Sequence, residues 1–266
     1  MRLRLLNFFL LITLLLSSTV HAQWRLDGSD SDQLRNFRID DQLNASASGQ
    51  PSVAAFGTLK EKLPRGFVIW DVDLRQESHG FANGVPVSWY EEHNAANAGV
   101  VDSAVVERDE IDRLNALLGH RETFVPLGKA DIKALKPLKF KVKSVCTERD
   151  AASAVGFKYI RFTDNDMGAP DARVAKQFVD FVEQLPPNVW LHFHCQAGMG
   201  RATLFMVLYD IIKNPDKSLE EIAVRQIELG GADLLAENNG DDWYAQRHRE
   251  RAAMIREFYA ERTARR

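Results

Sequence analysis

Residues 190–215 read WLHFHCQAGMGRATLFMVLYDIIKNP. An apolar segment ends at His194-Cys195, glycines follow at 198 and 200, Arg201 comes next, and a helical pattern continues to Pro215. That order predicts strand, tight loop, helix. A loop feeding a helix N-terminus turns backbone N–H groups inward and adds positive potential, which makes an anion cradle. Gly198 and Gly200 permit the positive φ angles such a loop uses, and the Arg201 fork can hold two anionic oxygens at once. The same field favours a thiolate on Cys195. A nucleophile and an oxyanion clamp thus share one loop, whose amides come from Gln196, Ala197, Gly198, Met199 and Gly200.

Outward from this loop, strand and helix patterns alternate. GFVIWDVDLR (66–75), KFKVKSV (139–145), FKYIRF (157–162) and NVWLHFH (188–194) read as strands. DSAVVERDEIDRLNALLGH (102–120) opens on a cap at Asp102-Ser103 and ends at Gly119, and TERDAASAVG closes at Gly156. DARVAKQFVDFVEQL (171–185) is amphipathic, SLEEIAVRQIELGG carries a capping box at Ser218 and Glu221, and a last helix covers about 242–262. NASASGQPS (44–52) reads as a surface loop. The fold class is α/β, a mostly parallel central sheet flanked by helices, with a small β-rich insertion allowed. Ligands bind such sheets at the carboxyl ends of strands, where Cys195, Arg75 and the loop 163–170 all fall.

The chain has 266 residues, 45% of them hydrophobic, enough for a sizeable core. Residues 1–22 pair basic Arg2 and Arg4 with an apolar run from Leu5 to Leu16 and end in Val20-His21-Ala22, the pattern of a signal peptide. Residues 23–266 are then one exported domain, periplasmic or secreted, with no stable membrane association after cleavage. Removing two arginines takes the formal charge from −3 (34 − 37) to −5 (32 − 37). An acidic chain is a poor nucleic-acid binder, so positive charge for an anionic ligand must be gathered locally. Cys146 and Cys195 are not expected to pair, because Cys195 sits in a loop where a thiolate has work to do.

HCQAGMGRAT resembles the His-Cys-x5-Arg signature of the protein tyrosine phosphatase superfamily. The stretches DLRQESHGFANGVPVSWYEEHNAANAG, LHFHCQAGMGR and KNPDKSLEEIAVRQIELGG extend the resemblance to the bacterial cysteine phytases, the protein-tyrosine-phosphatase-like inositol phosphatases. That resemblance implies a phosphomonoesterase of this fold, acting on inositol polyphosphates through a cysteinyl-phosphate without metal or cofactor. Cys195 is the implied nucleophile and Arg201 the clamp, with His194 organising the loop. A protein tyrosine phosphatase and an inactive phosphate-binding module are the alternatives.

The leaving alkoxide needs a proton. The family's Asp-x-x-x-Pro pattern fits Asp166 and Pro170, with Asp164 the second candidate; either could instead cap the helix near Asp171. Ala202 stands where relatives usually carry Ser or Thr, and Thr203 is turned about 100° away on a helix. Met167, Ala169 and Gln196 also depart from the pattern. His192 and His194 share a strand face, but no carboxylate is apparent nearby in the sequence, so no metal site is expected. Arg75 could meet substrate or form a structural ion pair. Arg38 and the basic run Arg247, His248, Arg249, Arg251 are further candidates for phosphate contact, with Arg38 and Arg249 taken as substrate-binding.

Overall fold

The computed structural model describes residues 23–126 and 135–264. The signal peptide expected at 1–22 lies outside these residues. In chain order the strands are β1 (Gln23–Leu26), β2 (Arg38–Asp40), β3 (Ala45–Gly49), β4 (Val68–Asp73), β5 (His79–Ala82), β6 (Val85–Tyr90), β7 (Arg121–Pro126), β8 (Leu138–Lys141), β9 (Val145–Cys146), β10 (Lys158–Arg161) and β11 (Val189–Cys195). The helices are α1 (Val53–Lys62), α2 (Ser103–Asn115), α3 (Glu148–Ala154), α4 (Ala172–Glu183), α5 (Gly200–Lys213), α6 (Leu219–Glu228) and α7 (Trp243–Ala264). Several starts follow the chemistry of the sequence. Asp102 and Asp171 cap α2 and α4, and capping boxes open α3 at Thr147 and α6 at Ser218.

The central sheet runs β10-β4-β11-β3-β2, parallel except for β2 at its edge. Its register sets Cys195 beside Gly49 and His194 beside both Ser48 and Asp73. The carboxyl ends of β3, β4, β10 and β11 therefore meet around the cysteine. Beneath them Phe162, Phe178, Phe193 and Phe205 pack ring against ring between α4, α5 and the sheet.

The stretch 44–52 is not a surface loop. Ala45–Gly49 is a fully buried strand paired with β11 and β2. Ala45 and Ala47 face the core, while Ser46 and Ser48 bond the two ring nitrogens of His192 at 2.9 and 3.1 Å. Small side chains are what the crowded position requires, and they carry no apolar signal. The β-rich part is also larger than a small insertion. Six strands, β8-β7-β1-β6-β5-β9, form a second sheet that is antiparallel except where β1 meets β7. Cys146 and Cys195 are both free.

Candidate active site

Cys195 ends β11, buried, and its Sγ accepts the Gly198 N–H at 3.3 Å. The loop after it is held open from behind. Arg35 Nη2 donates to the Gln196 carbonyl, Asn36 Nδ2 to that of Ala197 at 2.8 Å, and Arg38 Nη1 to that of Gly198 at 2.6 Å. In a trans peptide the N–H points opposite the C=O. Tying three successive carbonyls to one side turns the N–H groups of Ala197, Gly198 and Met199 to the other, and the Gly198 N–H on sulfur shows that direction. Gly198 has φ 76°, and a Cβ there would fall 2.3 Å from the Gly49 nitrogen, so only glycine fits.

This arrangement corrects one expectation about binding residues. Arg38 is buried, bonded to Gly198 O and, at 3.0 Å, to Thr203 Oγ1; it supports the loop instead of facing a ligand. The Gln196 side chain is likewise buried and donates to Asp27 Oδ1 at 2.7 Å, so only its loop backbone remains for a ligand.

Arg201, in the first turn of α5, is buried with its fork on Glu77. Nη1 and Nη2 donate to the two carboxylate oxygens at 2.7 and 2.9 Å. Nη1 also reaches Asp164 O at 3.2 Å and Leu74 O at 3.3 Å. Nε is buried without a hydrogen-bond partner among the described residues and lies 3.5 Å from Asp166 Oδ1. Glu77 thus holds the end of the guanidinium and leaves its Nε edge toward the loop. Glu77 is itself fixed by Arg75 Nε at 2.8 Å, and Arg75 Nη1 bonds Asp27 and Gln50 at 2.8 Å. Arg75 is therefore a buried structural strut.

His194 lies under the loop, fully buried, with Nε2 3.3 Å from Glu148 Oε1 and 3.7 Å from Asp71 Oδ1. The carboxylates that sequence reading did not find beside His194 are thus Glu148, Asp71 and, at 4.0 Å, Asp73, brought in by α3 and β4. Burial lowers its pKa against the pull of Glu148 and Asp73.

The two candidate acids occupy different surroundings. Asp166 is partly exposed, near Arg201 Nε, and its Oδ2 accepts Asn94 Nδ2 at 2.6 Å. Asp164 is fully buried, and neither carboxyl oxygen has a hydrogen-bond partner among the described residues. Burial pushes Asp164 up to about 8, with Arg201 opposing.

Arg249 is exposed and bonds the carbonyls of Asn238 and Gly240 at 2.9 and 2.6 Å, so it ties down the loop before α7 and does not enter the site. Its helix sends in Arg251 instead. That guanidinium is 2% exposed, with Nη1 3.3 Å from where a Cβ of Gly200 would stand. Arg247, one turn earlier on the same face, packs beside Gly168 of the acid loop. Residue 249 is about 200° around the helix from 251. Sequence reading also passed over Glu77, Arg35, Asn36 and Asn94. The run RNFR (35–38), otherwise unexplained in a loop-forming stretch, was the available signal.

A thiol and a guanidinium over an inward-turned amide loop, at the carboxyl edge of a parallel sheet, make up an anion site of the cysteine-phosphatase class. A family profile described as PTP-like phytase, inositol hexakisphosphate, matches residues 72–213. The PTP-like myo-inositol phosphatase of Mitsuokella multacida, solved with myo-inositol-(1,3,4,5)-tetrakisphosphate, superposes with TM-score 0.80 at 35% identity, over 91% of this chain and 46% of that one. A PTP-like phytase of Bdellovibrio bacteriovorus gives 0.78 at 33% identity, over 92% and 90%. Effector protein hopD2 of Pseudomonas syringae pv. tomato is 30% identical over 165 residues, which span 59% of this chain and 35% of the effector. The chain thus covers less than half the length of the Mitsuokella and Pseudomonas proteins. It belongs to the protein-tyrosine-phosphatase-like phytase family, a family of phosphatases.

Proposed function

We propose that this protein is an exported phosphomonoesterase of inositol polyphosphates. The observation that carries the reading is the amide loop, its carbonyls tied back by Arg35, Asn36 and Arg38 and its Gly198 N–H on the Cys195 sulfur, with Arg201 in the first turn of the helix that follows. Cys195 sulfur attacks phosphorus in line; the S–P bond forms as the P–O bond to the inositol oxygen breaks. Arg201 Nε and the loop amides hold the equatorial oxygens as charge builds. Asp166 gives its proton to the leaving oxygen, then takes one from the water that cleaves the S–P bond and restores the thiolate. The family and the Mitsuokella complex support the choice of substrate. For export, the support is the N-terminal sequence pattern; among the described residues no helix is long and apolar enough to cross a membrane.

The test is phosphate release from myo-inositol hexakisphosphate and from a phosphotyrosine peptide, by the wild type and Cys195→Ser. The inositol ester should turn over faster, and Cys195→Ser should abolish turnover while still binding inorganic phosphate. Faster turnover of the peptide would reassign the substrate, and undiminished hydrolysis by the serine variant would remove the thiol from the reaction.

A further inference from the structure

Asp164 has no role in the steps above, yet it lies fully buried against the reacting groups. Its backbone N–H bonds Phe162 O at 2.8 Å and its carbonyl receives Arg201 Nη1, so the residue just past β10 and the first turn of α5 both fix its position. The groups facing it are Arg201 on α5, Asp166 on its own loop and Arg251 on α7, with Glu77 on the far side of Arg201. A buried carboxylate between two guanidiniums should bond one of them. Neither Asp164 oxygen does so among the described residues, so the ionised form lacks the pairing that would stabilise it. Asp166 has the opposite setting: Arg201 Nε and the Asn94 N–H both favour its ionised form. The contrast in pairing makes the inner carboxyl the better place for a proton shared by the two, one loop residue away from the group that delivers it.

We propose that Asp164 is the proton reservoir for Asp166. Taking Asp166 as the acid, this rests on the functional reading above. When a phosphate dianion takes Arg201 Nε, Asp166 loses the cation that kept it ionised. The O–H bond at Asp164 then breaks and one forms at Asp166, which passes the proton to the leaving oxygen; Arg251 faces the charge left on Asp164. Asp164 is thus a positioning residue, acting through Asp166. Burial, which holds it near 8, keeps the reservoir filled at neutral pH.

The pH–rate profiles of Asp164→Asn and Asp166→Asn, on inositol hexakisphosphate and on p-nitrophenyl phosphate, test this. Asparagine copies the shape of the neutral carboxyl, and a melting curve confirms that the variant folds. In Asp164→Asn the alkaline limb of kcat on the inositol ester should move to lower pH, with about tenfold loss near pH 7.5, while the aryl ester, whose leaving group needs little protonation, keeps its profile. An unmoved limb overturns the reservoir, and so does an equal shift on both substrates. Failure of the underlying reading looks different: Asp166→Asn would then show no selective loss on the inositol ester. If that happens while Asp164→Asn does lose it, Asp164 is the acid itself and the relay is overturned.

Discussion

Arg38 Nη1 stands 2.6 Å from the Gly198 carbonyl, and the same guanidinium reaches Thr203 Oγ1 at 3.0 Å. One buried fork therefore joins the edge of the sheet to the middle of the loop and to the first turn of α5. Burial pulls Arg38 down to about 10, with Cys195 opposing, so it stays charged at neutral pH. Arg38→Lys should fail to restore the loop, because an ammonium lacks the planar fork that meets two acceptors in fixed directions. The expected loss in kcat/KM is on the order of 10²-fold, comparable to removing an oxyanion donor. Wild-type kcat/KM in the lysine variant would refute the role.

Ala202 gives a second prediction. The sulfur receives the Gly198 N–H, and the hydroxyl next along the helix is not free to help. Thr203 Oγ1 takes bonds from Arg38 Nη2 and from the Ala232 N–H at 3.1 Å. Ala202→Ser restores a hydroxyl at the position where relatives usually carry Ser or Thr and should speed breakdown of the phosphoenzyme. The readout is the pre-steady-state burst of released alcohol, which should shrink as kcat rises several-fold, about 1 kcal/mol of barrier. An unchanged burst and kcat would show that the missing hydroxyl does not limit this enzyme.

How far the site could be read in advance depended on how local each part was. Cys195 to Arg201 is a contiguous strand–loop–helix whose chemistry follows from residue order, and the parallel sheet followed from alternating patterns. What escaped were parts joined only in space. Glu77 under Arg201, Arg38 behind Gly198 and Asn94 on Asp166 are 124, 160 and 72 residues from their partners. β3 escaped for another reason: an Ala/Ser alternation buries its polar half through His192, so the usual hydrophobic signal is missing. The choice between Arg249 and Arg251 turned on helix phase, which a basic cluster alone does not give.

The buried ion network sets a pH dependence of stability. Burial would raise Glu77, but Arg201 and Arg75 outweigh it and hold the carboxyl far below 4.5. A depressed folded pKa stabilises above the unfolded value, so this contribution is lost as pH falls below 4.5. For His79, burial would lower the pKa, yet Asp73 and Glu110 carry it up from 6.5 to about 10, against Arg75. That stability is complete below 6.5 and lost as pH rises to about 10. Asp164 is raised from 3.8 to about 8, so its contribution also drains away between those values. Melting temperature should peak near about pH 4–5 and fall on both sides. Asp164→Asn should melt a few degrees higher than wild type, at about 2–4 °C per kcal/mol, with a gap that widens up to about pH 8. A constant gap would mean that Asp164 does not titrate in this range.

Arg251 leads to the last prediction, because its burial needs a reason. Its Nε has no hydrogen-bond partner among the described residues, and the charges it feels are Asp164, Asp166 and Cys195. Burial lowers its pKa, and those three groups oppose the shift. An incompletely paired guanidinium in the interior is costly to the free protein. The cost is offset if a bound phosphate supplies the missing acceptors beside Gly200, where Nη1 lies. Arg251→Met keeps the length and apolar bulk and removes the charge. It should raise KM for inositol hexakisphosphate at least about tenfold, the loss of one charge-assisted contact. kcat should fall by less than kcat/KM, because the charge left on Asp164 also loses its partner, and the melting temperature should hold or rise. A lower melting temperature with KM unchanged would instead make Arg251 a structural partner of the acid loop, no different in kind from Arg75.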